Sequence, residues 1–346
     1  MKPAWPPVLA LLAATMSNAA NYTAEKAIVD GIEVIRLTDQ SHKTEVSVAP
    51  SLGNNAYEMK VNGKQIFWSP YKTLKELQAK PAQAGNPFLW PWANRLDHEG
   101  YFANGKEYRL NPALKNYRAD GNGKPIHGLV VYASEWKVTE VKADEQSAKV
   151  TSRLEFWRQP DWMQQFPFAH NVEMTYSLQD GILQVETTLE NLSTEAMPVS
   201  LGYHTYYTLH DAPRDEWRVH MPAKQHVVLS KVLVPTGETR PMPYADPQPL
   251  AGTQLDDVFT GLTPGESGRS EFYVMGKKEK ISVLFGPKFP VAVVYAPPGR
   301  DFICFEPMAG PTNNFNMLQA GTWKTLQSVA PGSTWRESFW IAPSGF

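Results

Sequence analysis

The sequence predicts an all-β protein, with one large antiparallel β domain and few, short helices. Proline occupies 29 of the 346 positions, more than the ~5% of average proteins, and proline interrupts both helices and central strands. The chain also contains 11 Trp and 14 Tyr, residue types that are enriched in strands. Asn-Gly or Asp-Gly pairs at positions 62–63, 104–105 and 180–181 favour the type I′ turns of antiparallel hairpins. A helical bundle is therefore disfavoured.

Strand-like segments flank each of these turns. They cover residues 57–61 and 64–68, 101–102 and 108–110, and 172–178 and 182–189. Further strand candidates lie at residues 45–48, 148–155, 227–229, 280–285, 291–296 and 336–341. The clearest helical signal is residues 71–78, because Ser69 and Pro70 in front of them are typical of a helix start. Since no repeat or low-complexity linker divides the chain, we expect one domain over residues 21–346.

The first twenty residues have the pattern of a secretory signal peptide. Lys2 supplies the positive charge, residues 8–16 form a short apolar run, and small residues end at Ala19. The apolar run is about half the ~20 residues that a membrane-spanning helix requires. The sequence therefore predicts a signal peptide over residues 1–20, export to the periplasm or the exterior, and no membrane contact after its removal.

Charge and motif content exclude several classes of function. Lys and Arg total 33 and Asp and Glu total 35, so no basic field attracts nucleic acid. The single cysteine, Cys304, excludes an internal disulfide and a cysteine-based metal cage. The sequence has no His-Glu-x-x-His, calcium loop, phosphate-binding glycine loop or Gly-x-Ser-x-Gly motif. We therefore expect no metal and no cofactor, but acid–base chemistry by histidine and carboxylate groups.

Two histidines are candidates for that chemistry. His204 lies among three tyrosines in residues 202–207, one of them Tyr206, where an imidazole can titrate near neutrality beside the face of a bound ring. The alternative is a structural histidine of the core or of a sheet edge. His127 precedes Gly128, where backbone can approach a ligand closely; its alternative is a simple turn.

A short apolar strand over residues 301–307 carries a candidate carboxylate. Period-two alternation places Phe302, Cys304 and Glu306 on one face, and we expect Pro307 to end the strand. A buried carboxylate has to be hydrogen-bonded, paired or functional, because an unpaired buried charge is costly. A structural ion pair is the alternative interpretation.

Two further segments carry polar groups. Asn94 and Arg95 follow an aromatic run over residues 87–93, and the alternative role of Arg95 is to brace the surface by stacking on tryptophan. Asp256 and Asp257 form a carboxylate pair, whose alternative is a loop or a helix start.

Taken in order, these segments resemble the aldose 1-epimerase (galactose mutarotase) family. The matching segments are Pro91-Trp92-Ala93-Asn94-Arg95 with the hairpin at 104–105, Ile126-His127-Gly128, residues 202–207, the Asp-x-x-Phe element at 256–259, and Phe305-Glu306-Pro307. The resemblance implies a large antiparallel β-sandwich, the galactose mutarotase-like supersandwich, with a shallow open site. Its implied partner is a small-molecule sugar, a free aldohexose whose α and β anomers are interconverted.

The resemblance also implies a role for each matching residue. Glu306 corresponds to the catalytic base and His204 to the acid, with His127 assisting at the ring oxygen. The residues that correspond to substrate-binding positions are Asn94, Arg95, Asp256 and Tyr206. The Asp-x-x-Phe element matches at Asp256 and not at Asp257.

Residues 307–314 depart from the run that follows the glutamate in the best-known mutarotases, and they are closer to a divergent branch that includes enzymes of hexose 6-phosphates. A hexose-6-phosphate 1-epimerase is therefore one alternative, with Arg214 and Arg218 as possible phosphate partners. A non-catalytic carbohydrate-binding sandwich is the second. A polysaccharide lyase or hydrolase is the third, although such enzymes usually carry a helical domain that this sequence does not predict.

Overall fold

A computed structural model describes residues 21–81 and 84–346. The predicted signal peptide lies outside the described residues. Within the described ranges, no helix has the length and apolar character needed to cross a bilayer.

Strands are the main regular structure of the described chain. In the first half they are β1 (Tyr22–Val29), β2 (Ile32–Asp39), β3 (Thr44–Ala49), β4 (Asn55–Val61), β5 (Lys64–Gln65), β6 (Phe88–Leu89), β7 (Gly100–Ala103), β8 (Lys106–Arg109), β9 (Arg118–Ala119), β10 (Pro125–Ile126), β11 (Lys137–Ala143), β12 (Ala148–Glu155), β13 (His170–Gln179) and β14 (Ile182–Asn191). In the second half they are β15 (Met197–Val199), β16 (Gly202–Tyr203), β17 (Thr205–Tyr207), β18 (Arg218–His220), β19 (Ala223–Leu229), β20 (Pro235–Pro241), β21 (Gln248–Pro249), β22 (Leu255–Leu262), β23 (Ser270–Met275), β24 (Lys280–Phe285), β25 (Val291–Ala296), β26 (Ile303–Met308), β27 (Gln327–Val329) and β28 (Thr334–Ser344). The α-helices are α1 (Leu74–Ala79), α2 (Pro160–Gln165) and α3 (Asn314–Gln319), and 3₁₀ turns occur at Pro112–Leu114, Phe156–Arg158 and Arg214–Glu216.

Three large sheets contain most of these strands. One sheet has the order β1-β2-β3-β4-β5, and a nine-stranded sheet has the order β11-β12-β13-β14-β28-β24-β23-β18-β21. An eight-stranded sheet has the order β20-β19-β22-β25-β26-β16-β6, with β17 also paired to β26. Neighbouring strands in these sheets run antiparallel. The predicted fold class, a large antiparallel β-sandwich with few short helices, is confirmed.

The core lies between the nine-stranded and the eight-stranded sheets. Aromatic rings from the two sheets meet there: Tyr203 packs on Phe339 with centroids 4.7 Å apart, and Phe272 lies 5.9 Å from Phe305. The strands on both sides present fully buried apolar residues to this layer. The extensive apolar burial supplies the main stabilising term of the fold.

The three predicted hairpins are present. The turns Asn62-Gly63, Asn104-Gly105 and Asp180-Gly181 all have positive φ at both residues, as type I′ turns require. The last of them joins β13 to β14, which pair over ten residues on each strand. These local turns set the register of their own hairpins.

The predicted helix start at Ser69 is wrong. Helix α1 begins after Thr73, whose Oγ1 accepts the backbone N–H of Glu76 at 3.2 Å. Ser69 Oγ instead accepts the N–H of Tyr71 at 3.1 Å, which forms a local turn. Thr73 therefore supplies the side-chain cap of α1, and the helix begins at Leu74. Pro307 does not end its strand either, because β26 continues to Met308.

The alternation along β26 decides where its carboxylate points. Ile303 and Phe305 belong to the main core, whereas Cys304 packs with Tyr206 and Phe302 on the opposite face. Glu306 shares the face of Cys304 because strand residues two apart point the same way. The outer face of the eight-stranded sheet therefore carries the candidate chemistry.

Candidate active site

His204 and Glu306 face each other across neighbouring strands. β17 pairs with β26 through Thr205 and Phe305, and one residue further along this antiparallel register His204 lies opposite Glu306. Nε2 of His204 is 3.3 Å from Oε1 of Glu306. The carboxylate side chain is only 1% exposed, so the pair sits in a weakly solvated environment. The register of two short strands thus creates a histidine–carboxylate pair.

Aromatic rings hold the imidazole of His204 in place. The ring of Tyr206 stacks on it with centroids 4.7 Å apart and planes 13° from parallel. The Tyr206 hydroxyl lies 3.4 Å from Nε2 of His204, and the ring of Tyr295 approaches edge-on at 6.1 Å. The backbone N–H of His204 donates to the carbonyl of Pro87 at 3.0 Å. Little rotational freedom is left to the imidazole.

A strained loop brings His127 to the same place. His127 has φ of +66° and Gly128 has φ of +71°, both in the left-handed region that favours glycine. A Cβ at position 128 would collide with the backbone carbonyl of Trp90. The N–H of His127 donates to the carbonyl of Asn94 at 2.8 Å. The ring of His127 then meets that of His204 edge-on, with centroids 5.4 Å apart.

Arg95 is held by two neighbours. Its Nε donates to Oδ2 of Asp120 at 2.7 Å, and its Nη1 donates to Oδ1 of Asn94 at 2.9 Å. The carboxylate of Asp120 also accepts the backbone N–H groups of Asn122 and Lys124, each at 2.9 Å. These contacts fix the guanidinium plane and leave other N–H groups of Arg95 for a ligand. The alternative role, stacking on tryptophan, is not observed among the described contacts of Arg95.

The two aspartates of β22 point in opposite directions. Asp256 lies across from Tyr295 of β25 and lines the same cavity as Glu306. Asp257 instead accepts from Nε2 of His226 at 2.7 Å and from the hydroxyl of Tyr244 at 3.0 Å. The structure therefore brings Asp256, and not Asp257, to the candidate site, and the segment is a strand rather than a loop or a helix start.

The predicted residues surround one cavity with a volume of about 130 Å³. Its walls are formed by Asn94, Arg95, Ile126, His127, His204, Asp256, Tyr295 and Glu306. Six of the seven predicted site residues are among them. The seventh, Tyr206, lines an adjoining cavity that also contains His127 and His204.

Burial and neighbouring charges shift the pKa values of these groups. Burial, and next the charge of Asp256, raise the pKa of Glu306 well above its usual value, while Arg95 opposes the shift. Burial lowers the pKa of His204 to about 4. Burial, and next the proximity of His204, lower the pKa of His127 well below its usual value. Burial also raises the pKa of Asp256.

These pKa shifts determine how many protons the His204–Glu306 pair carries. With the pKa of Glu306 raised and that of His204 lowered, a single proton resides on the pair over an intermediate pH range. Moving that proton across the 3.3 Å between Oε1 and Nε2 converts carboxylic acid and imidazole into carboxylate and imidazolium. The pair therefore titrates as one unit. In the second form it holds one base and one acid side by side.

Two contributors were missed by sequence reasoning. Asp120, which orients Arg95, sits in the polar turn at residues 120–124, and nothing local links it to position 95. Tyr295 occurs in an otherwise apolar strand between Val294 and Ala296, and this polar-tipped residue was the available signal. Both residues reach the site through contacts between segments that are distant in the chain.

The proposed phosphate partners lie elsewhere. Arg214 is buried, and its guanidinium donates to the backbone carbonyls of Leu250, Thr253 and Ala296 at 2.7–2.8 Å. Arg218 is an exposed residue of β18 in the nine-stranded sheet. Neither lines the cavity, so the expectation that they serve a sugar phosphate there is wrong.

Among the described residues, no group of three or more His, Cys, Asp or Glu side chains is arranged to hold a metal ion. Cys304 is a buried free thiol. Burial and the nearby charge of Glu306 raise its pKa well above the usual value.

The antiparallel β-sandwich superposes on galactose mutarotase-like structures, so its fold is of the galactose mutarotase-like class. Within that class, the chain belongs to the aldose 1-epimerase family, whose model matches residues 33–342. The predicted family resemblance is confirmed. Membership places the protein among sugar epimerases, which are isomerases.

Individual relatives are distant in sequence. The uncharacterized protein YihR of Escherichia coli (strain K12) is 26% identical over 234 residues, which cover 66% of this chain and 70% of that protein. A galactose mutarotase-like protein of Clostridium acetobutylicum superposes with a TM-score of 0.82 at 20% identity, covering 94% of this chain and 99% of the other. Galactose 1-epimerase of Lactobacillus acidophilus NCFM superposes with a TM-score of 0.71 at 13% identity, covering 95% and 100%. The two structural similarities support the fold.

Proposed function

We propose that this protein is an aldose 1-epimerase that interconverts the α and β anomers of a free aldohexose. The observation that carries the proposal is the buried pair of His204 and Glu306, 3.3 Å apart at the wall of a polar cavity. Ring opening of a pyranose requires one proton to leave the C1 hydroxyl and another to reach the ring oxygen. A carboxylate and an imidazolium held side by side supply both transfers.

The reaction balances within the pair. The carboxylate of Glu306 takes the proton of the C1 hydroxyl, a C1=O bond forms, and the C1–O5 bond breaks as Nε2 of His204 donates its proton to O5. The open-chain aldehyde then rotates about C1–C2. The neutral imidazole and the carboxylic acid reverse both transfers when the ring closes on the other face. Each positioned acid or base contributes roughly 10²–10⁴-fold, and the reaction as written consumes no cofactor.

The surrounding groups have binding roles in this proposal. His204 is the group that protonates the ring oxygen, and the ring of His127 lies 5.4 Å from that of His204. His127 is therefore placed to assist at the ring oxygen. Arg95, oriented by Asn94, and Asp256 hold sugar hydroxyls through charge-assisted hydrogen bonds. Tyr206 stacks on the imidazole and keeps it directed at the sugar.

Anomer exchange measured by NMR or polarimetry tests the proposal. Purified protein is mixed with glucose, galactose or glucose 6-phosphate, and the spontaneous rate is subtracted. We expect acceleration with at least one free hexose and little with the phosphate. Saturable sugar binding without any exchange would instead identify a non-catalytic carbohydrate-binding sandwich.

We also propose that the protein acts outside the cytoplasm, as one folded domain over residues 21–346. The basis is the signal-like pattern that ends near Ala19. N-terminal sequencing of material from the periplasm or the medium is the test. A chain outside the cytoplasm that still begins with Met1 contradicts this assignment. So does a chain that retains Met1 and is found only in the cytoplasm.

A further inference from the structure

His170 lies deep in the core, outside the candidate active site. It is the first residue of β13 and is fully buried, and its ring stacks on Phe156 with centroids 4.2 Å apart. Nδ1 of His170 is 2.6 Å from the carbonyl oxygen of Phe168. Because a carbonyl can only accept, Nδ1 carries the ring proton and Nε2 is left as an acceptor. The indole N–H of Trp90 donates to this Nε2 at 2.8 Å.

This hydrogen bond fixes the orientation of the Trp90 indole. Trp90 is fully buried, with the ring of Phe166 5.6 Å away. A buried donor that loses its acceptor costs about 1–3 kcal/mol, so the indole N–H has to stay directed at His170. Burial lowers the pKa of His170 to about 3. The imidazole is therefore neutral at pH 7, and its Nε2 remains an acceptor.

The backbone of Trp90 is the surface against which the loop of His127 packs. The carbonyl oxygen of Trp90 accepts the N–H of Leu129 at 2.8 Å, and Trp90 forms a parallel β-bridge with Gly128. A Cβ at position 128 would lie 2.1 Å from that carbonyl oxygen, so the two backbones are in close contact. The N–H of His127 donates to the carbonyl of Asn94. Both ends of the segment 90–94 therefore hold the loop.

The side chain of His127 depends on this backbone support. Within the part of the chain that the structure describes, its buried Nδ1 has no hydrogen-bond partner. The ring meets that of His204 edge-on, whereas His204 itself is held by the stacked ring of Tyr206. The backbone is thus what places the ring of His127, and a displacement of Trp90 moves that ring relative to His204.

We propose that His170 is a positioning residue for anomer exchange, which acts on His127 through the indole and the backbone of Trp90. His170 is not part of the cavity wall, so its effect passes through its neighbours. Its bond to Trp90 joins β13 of the nine-stranded sheet to the residue that follows β6 of the eight-stranded sheet. The inference rests on the proposed function, because His127 assists at the ring oxygen there.

Two substitutions remove the bond from opposite sides. His170→Leu removes the acceptor and Trp90→Phe removes the donor. In each variant we expect kcat for anomer exchange, per folded molecule, to fall by about ten- to a hundredfold, because a misplacement of about 1 Å costs that much. His170→Gln recovers most of the rate, since its side-chain carbonyl can accept from the indole.

Trp217→Phe is the matched control for these variants. The buried indole of Trp217 donates to the carbonyl of Ala212 at 2.9 Å, and Trp217 is not part of the cavity wall. This variant loses a buried indole hydrogen bond of the same kind. We expect it to lose stability and to keep its kcat per folded molecule.

The His127→Ala background separates positioning from a general loss of structure. When His170 acts through His127, His170→Leu lowers kcat of the wild type and changes that of His127→Ala by less than about twofold. Equal losses in the two backgrounds refute the inference. An undiminished kcat in both His170→Leu and Trp90→Phe refutes it as well.

A second readout requires no turnover. NMR of isotope-labelled histidine gives the ring resonances, and that of His127 is identified by its loss in His127→Ala. We expect this resonance to shift in His170→Leu and in Trp90→Phe, and to keep its position in Trp217→Phe. An unmoved resonance in the first two variants refutes the positioning role even where kcat falls. Absence of exchange with every free hexose refutes the proposed function instead, and the resonance of His127 then decides whether His170 places its ring.

Discussion

Replacing Glu306 with glutamine is the most direct probe of the histidine–glutamate pair. The amide has the shape of the carboxyl group but cannot take a proton from a C1 hydroxyl. It also cannot store the single proton that the pair shares across 3.3 Å. Glu306→Gln therefore removes the base and, at the same time, the proton source of His204.

The size of the effect follows from the state of His204. Burial holds its pKa at about 4, so at pH 7 about one imidazole in a thousand carries its own proton. Loss of the base alone costs roughly 10²–10⁴-fold. We expect kcat for anomer exchange to fall by at least about 10³-fold, because both roles fail in the variant.

The assay follows exchange of the best free hexose at pH 7 by NMR, with thermal unfolding recorded on the same samples. Glu279→Gln is the matched control, because Glu279 is a second buried glutamate. It bonds to Lys64 at 2.6 Å and to the N–H of Asp211 at 3.2 Å, away from the cavity. The control loses stability and keeps its kcat per folded molecule. Activity of Glu306→Gln within about tenfold of wild type would show that Glu306 is not the base.

Three further predictions follow from the same charges and backbone angles. The pH profile of kcat/KM is bell-shaped. Activity falls near pH 4, where the His204–Glu306 pair gains a second proton, and again at alkaline pH, where the pair loses its single remaining proton. A flat profile from pH 4 to 9 contradicts this prediction. Asp256→Asn removes a charge that raises the pKa of Glu306, so the alkaline limb of the profile moves to lower pH. Arg95→Gln removes a charge that lowers this pKa, so the alkaline limb moves to higher pH. Shifts in the same direction for both variants contradict these charge effects. Gly128→Ala lowers the free energy of unfolding by at least about 2 kcal/mol in denaturant unfolding, because the added Cβ meets both left-handed strain and overpacking. Gly63→Ala lowers it by about 1 kcal/mol, because its added Cβ meets no other atom. Equal losses would contradict a close approach of the backbone to Gly128.

Local sequence patterns were sufficient for the fold class and for many elements. Asn-Gly and Asp-Gly pairs favour one turn type through the positive φ that these residues tolerate, so the hairpins could be predicted from neighbouring residues. The alternation at Phe302, Cys304 and Glu306 was likewise readable, because the period of a strand does not depend on its partners. The start of α1 at Thr73 instead of Ser69 was less predictable, since both residues can cap.

The hairpins, the alternating strand faces and, through the order of the motifs, the family can be predicted from the amino-acid sequence. The folded chain adds three contacts: His204 lies opposite Glu306, Asp120 orients Arg95, and Tyr295 joins the cavity wall. These contacts depend on the register between strands far apart in the chain, which local propensity does not encode. The protonation state of the His204–Glu306 pair also depends on the tertiary structure, because desolvation of a carboxylate and an imidazole requires surfaces from distant segments.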